Sequence, residues 1–215
     1  MTAPSPVAAP RDRYWLVPLG RAIAALIAGA VITFSANHSA RLGLTVFGAF
    51  AVVAGLVVGV GALLLADRVV RPLFLAQGVF GIAAGALSLA LGIGGGGLGV
   101  FLFVVSVWAA LTGFSELYAA LRIRGRLAAG RDWLVVGAMT AVLAVVFLLI
   151  PADAVLAVGL FGAYAVVIGV YLAIGAFSLK WGTAQPQSVS TRSVSTQSAN
   201  TQAPSTQAAS TETDA

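Results

Sequence analysis

The chain has no cysteine, a single histidine, and charged residues at only 9% of positions. Without cysteine there can be no disulfide, thiolate nucleophile or cysteine metal site, and one histidine cannot build a histidine metal centre. The serines and threonines of the apolar stretches have no histidine to activate them, so no nucleophile–base pair is legible. Gly92-Ile-Gly-Gly-Gly-Gly97 is glycine-rich, but the Gly-Lys-Ser/Thr of a phosphate loop does not follow it. It reads as a hinge. These absences point away from an enzyme and imply no metal and no cofactor.

What the chain does have is apolar length. Hydrophobic residues make up 60% of it, well above the roughly 45–50% of soluble domains. They fall into six long runs, at 14–35, 42–66, 70–91, 98–121, 133–150 and 154–179. Each run has about the 20 residues a helix needs to cross a ~30 Å hydrocarbon core, and helices satisfy their own backbone polar groups there. The expected fold is therefore an all-α membrane protein of six transmembrane helices. An N-terminal segment, 1–13, precedes the domain at 14–181. After Trp181 a Ser/Thr/Gln-rich stretch, 182–215, has too few large apolar side chains to form a core and reads as a disordered tail.

The formal charge of +5 reads as a topology signal and not as affinity for nucleic acid. Arg11, Arg13, Arg68, Arg71, Arg122, Arg124, Arg126, Arg131 and Lys180 all fall on one side of the six spans. Only His38, Arg41 and Asp153 fall on the other. The positive-inside rule then places both termini in the cytoplasm and the protein in a plasma (inner) membrane as a multi-pass chain. Trp15, Trp133 and Trp181 stand where an aromatic belt would meet the cytoplasmic interface. The expected partners are the lipid bilayer and either a second copy or another membrane protein.

The spans form three hairpins, at about 14–66, 70–121 and 133–179, repeating every 56–59 residues or so. In their first helices Arg21, Gln77 and Val136 correspond, followed eight residues later by Gly29, Gly85 and Ala144. In their second helices Gly48, Ser106 and Gly162 correspond, followed seven residues later by Gly55, Gly113 and Gly169. Seven residues is two turns, so each pair shares a face. Small residues on one face let helices approach closely in lipid. Gly55/Gly59 and Gly81/Gly85 are local pairs of this kind. Because every hairpin starts on the same side, the repeats are parallel, with any pseudosymmetry axis along the membrane normal.

Three polar residues fall at one depth. Arg21 and Gln77 lie ~10 Å into the first and third spans, and Glu116 ~9 Å from the same end of the fourth. An unpaired charge there costs at least ~2.5–3.5 kcal/mol, so pairing of Arg21 with Glu116 beside Gln77 is expected. The layer reads as a clamp between hairpins or as a site that responds to protons or a ligand. His38, on the opposite hinge, is the one side chain that titrates near neutrality unperturbed. It is a candidate pH sensor.

The segment Gly113-Phe-Ser-Glu-Leu-Tyr-Ala-Ala-Leu-Arg-Ile-Arg124, together with Arg21, Ile150-Pro151 and Gly162-Ala-Tyr-Ala-Val-Val-Ile-Gly169, resembles the HdeD-like membrane proteins over about residues 12–181. Ala36 and Gly92 stand where that resemblance would place hinge prolines. It implies a non-enzymatic accessory role in acid or envelope stress. The alternative is a small-solute or proton transporter using Arg21, Gln77 and Glu116.

Overall fold

A computed structural model describes residues 14–64, 70–122 and 129–182. They form α1 (Leu16–Phe34), α2 (Ala40–Leu64), α3 (Arg71–Ile93), α4 (Leu98–Arg122), α5 (Ala129–Leu149) and α6 (Ala154–Gly182), with no strand among the described residues. All six contain a stretch long and apolar enough to cross a membrane. The chain is thus an all-helical, multi-pass integral membrane protein. The expectations for 1–13 and 183–215, and the positions of Arg68, Arg124 and Arg126, lie outside the described residues.

Helix ends follow local chemistry. At the start of α2 the Ser39 hydroxyl accepts from the Leu42 N–H, and before α6 the Asp153 carboxylate accepts from the Leu156 N–H at 2.7 Å. Both satisfy first-turn donors that have no partner inside the helix. The glycine hinge ends α3: Gly95 adopts φ 83°, a conformation open to glycine, and the Gly96 N–H returns to the Leu91 carbonyl. Arg41 closes this hinge by donating to the carbonyls of Gly92 and Ile93. α5 begins four residues before the apolar run at 133 and α6 runs on past 179 to Gly182. Charged residues such as Arg131, Asp132 and Lys180 end an apolar run without ending a helix.

The most intimate helix pairs are α2 with α3, α4 with α5, and α1 with α6. Pairing within each hairpin is looser. The tight seams are built on glycine. A Cβ on Gly55 would lie 2.8 Å from the Gly78 carbonyl oxygen, and one on Gly48 2.8 Å from that of Gly85. Between α4 and α5, Gly113 faces Gly137 and Ala141, with 2.6 Å to the Ala141 nitrogen. Between α1 and α6, Gly29 meets Val166, Gly162 meets Ile32, and Gly169 meets Leu26. Gly81 lies against Gly55, while a Cβ on Gly59 would approach nothing closer than the Gly78 Cα at 3.9 Å.

Inside the bundle Phe47 and Phe50 of α2, Phe101 and Trp108 of α4, and Phe161 of α6 interlock edge to face, with ring centroids 5.4–6.4 Å apart. A second apolar cluster at the other end contains Tyr14, Phe74, Ala119, Ala120 and Trp133. Trp133 is buried there, 4.6 Å from the Phe74 ring, and so packs inside the bundle instead of joining an interfacial belt. Trp15 receives Lys180 over its ring at 4.7 Å. Outward, Ile27, Phe103, Phe114, Val142 and Ile174 are exposed, an apolar surface suited to hydrocarbon and too extensive for a water-facing monomer.

Candidate functional site

Between the two apolar clusters lies a polar layer. The axial rise of 1.5 Å per residue puts Arg21, Gln77 and Glu116 at one depth of α1, α3 and α4, and their side chains meet. Arg21 Nη2 is 2.7 Å from Glu116 Oε1. Gln77 Nε2 donates to the same oxygen at 3.2 Å, and its Oε1 accepts from the Ser115 hydroxyl at 2.9 Å. The Gln77 amide is therefore used on both sides and is held in one orientation. Space for the carboxylate comes partly from Gly137, where a Cβ would come within 3.0 Å of the Glu116 Cβ.

Burial makes this arrangement energetically significant. The Glu116 side chain is 1% exposed and Arg21 16%, so water does little to screen them, and removing one partner would strand the other's charge. The layer is not fully satisfied: Glu116 Oε2 is buried with no hydrogen-bond partner. Arg21 also borders two small cavities. One, of about 30 Å³, includes Tyr14, Asp132 and Tyr171 in its wall; the other, of about 10 Å³, includes Gln77, Trp108 and Thr112. The larger has a mostly apolar wall with polar groups from Arg21, Asp132 and the two tyrosines, and room for about one or two waters.

The remaining candidates lie elsewhere. His38 sits in the loop after α1, whose end at Phe34 is already 13 residues or ~20 Å of helix rise from Arg21, and the layer does not include it. The nine glycines named from sequence, Gly29, Gly48, Gly55, Gly59, Gly81, Gly85, Gly113, Gly162 and Gly169, lie on helix faces turned toward neighbouring helices. Sequence reasoning missed Ser115, whose hydroxyl orients Gln77, and Asp132, which accepts from the Tyr171 hydroxyl at 3.4 Å. It also missed the Thr140–Tyr164 hydroxyl pair, 2.8 Å apart. Asp132 carried a signal, an acid next to an apolar run; Ser115 carried none. Among the described residues no three His, Cys, Asp or Glu side chains converge in a way that could hold a metal ion. Comparison with protein-family models, curated proteins and solved structures gives no match.

Proposed function

We propose that this protein is a non-enzymatic accessory protein of the plasma (inner) membrane, with both termini cytoplasmic, acting in acid or envelope stress as its HdeD-like character implies. The observation that carries the reading is the enclosure of the Arg21–Gln77–Glu116 layer between two apolar clusters. A conduction path needs polar groups at successive depths. Here the interlocked rings of Phe47, Phe50, Phe101, Trp108 and Phe161 occupy the interior beyond the layer. The layer then serves as a clamp joining α1, α3 and α4. The seams α2/α3, α4/α5 and α6/α1 each join the second helix of one hairpin to the first helix of the next, which supports a parallel threefold repeat.

A transporter is the second reading, favoured by the cavities beside Arg21 and by the unpartnered Glu116 oxygen. Proteoliposomes given an acidic exterior separate the two. The accessory reading expects wild-type vesicles to be no leakier to protons than empty ones. Proton entry that disappears in Glu116→Gln would replace it with the transporter.

A further inference from the structure

α1 is drawn toward α6, and α2 toward α3, by the glycine seams described above. The two helices of the first hairpin consequently part along their outer face. They stay closed near the start of α1, where Gly20 meets Val57 and Gly61 meets Val17. From there to Val31 and Thr45 a groove of about 480 Å³ runs between them, walled by Ile23, Ile27, Val31, Ala49, Val53 and Val57. Its one polar wall group, the Thr45 hydroxyl, already donates to the Arg41 carbonyl.

The dimensions select the occupant. Gly20 to Val31 spans ~16 Å of helix rise along the middle of α1, about half of the ~30 Å hydrocarbon core. Counting the space out to the flanking atoms, about 960 Å³, the mean cross-section over that length is about 60 Å². That admits an extended hydrocarbon chain and is narrower than a helix about 10–12 Å across. The groove ends toward the loop that carries His38, and Arg41 lies one turn from Thr45 on α2. The Arg41 guanidinium is exposed, bonded to two carbonyls, and faces no carboxylate within ion-pair distance among the described residues. Arg41 is not in the groove's wall, but an apolar slot with a cation one turn beyond it, over the end of α3, complements the shape and charge of an anionic phospholipid.

We propose that the α1–α2 groove binds one acyl chain of an anionic membrane phospholipid, with its phosphate at Arg41. This depends only on the helices spanning a bilayer and not on the stress role. The full-length protein in detergent, titrated with dioleoylphosphatidylglycerol or dioleoylphosphatidylcholine and read by native mass spectrometry, tests it. One phosphatidylglycerol is expected to be retained preferentially, about fivefold over phosphatidylcholine for a single cationic contact. Ala49→Trp, which fills the groove from an exposed position, should lose this lipid, while Val142→Trp on the lipid face of α5 should keep it. Ile27→Trp is the substitute if Ala49→Trp does not melt like wild type. Arg41→Gln should erase the headgroup preference and Arg41→Lys should preserve it. Undiminished binding by both groove variants would overturn the site. So would a wild-type dimer that Ala49→Trp separates, because a second copy would then be the occupant. Equal affinity of wild type for the two lipids would overturn the headgroup assignment.

Discussion

Substituting either member of the Arg21–Glu116 pair leaves its partner buried and uncompensated. By analogy with buried pairs in soluble proteins, Glu116→Gln is expected to cost about 3–5 kcal/mol, seen as a lower melting temperature of the detergent-solubilised protein. Adding Arg21→Gln removes the stranded guanidinium, so the double variant should lose less than the two single losses together, by about 0.5–3 kcal/mol. Strict additivity would rule out energetic coupling across the 2.7 Å contact. The depth of these residues was readable in advance, because residue count from a helix end converts directly to distance. Their rotational phase was only partly readable. Ser115 adjoins Glu116 in sequence, yet nothing in the sequence shows that its hydroxyl meets Gln77.

At the scale of elements, glycine positions differ sharply in what a methyl group would meet. Gly113→Ala would drive a Cβ to 2.6 Å from the Ala141 nitrogen, and backbone cannot yield as a side-chain tip can. It should weaken the α4–α5 seam by about 1–3 kcal/mol, as overpacking does elsewhere. Gly59→Ala meets only the Gly78 Cα at 3.9 Å and should be neutral or slightly stabilising through reduced chain freedom. Chemical denaturation of the pair in one detergent checks both, and an equal loss at the two sites would refute the seam geometry. Spacing alone marked which helix faces carry glycine, because seven residues return to the same side. It could not name the facing helix. Chain order favours the hairpin neighbour, whereas the closest pairings cross between hairpins and join α1 to α6.

For the whole molecule, the lack of cysteine makes the wild-type chain its own background for labelling topology. In spheroplasts, a membrane-impermeant maleimide should modify Asn37→Cys and Ala152→Cys directly, and Pro72→Cys and Trp181→Cys only after permeabilisation. The reverse pattern would overturn the proposed cytoplasmic placement of the termini. Membrane residence itself was legible from run length and hydropathy, since bilayer thickness imposes a span that composition reveals. Trp133 shows where such reasoning stops. Being aromatic and next to charge suggested an interface, but its burial against Phe74 depends on helix rotation.

The contact between α1 and α6 also has a temporal side. Of these six helices α1 is made before and α6 after all the others, yet each is the other's closest neighbour among them. Until α6 arrives, the Ala22, Ala25, Ala28 and Gly29 stripe of α1, buried in the finished bundle, has no permanent cover. The α2/α3 and α4/α5 seams need no such delay, because their members emerge consecutively. An intermediate in which α1 to α5 have entered the bilayer and α6 has not would therefore hold two completed helix pairs and one unmatched helix, suited to capture by insertion chaperones or membrane proteases.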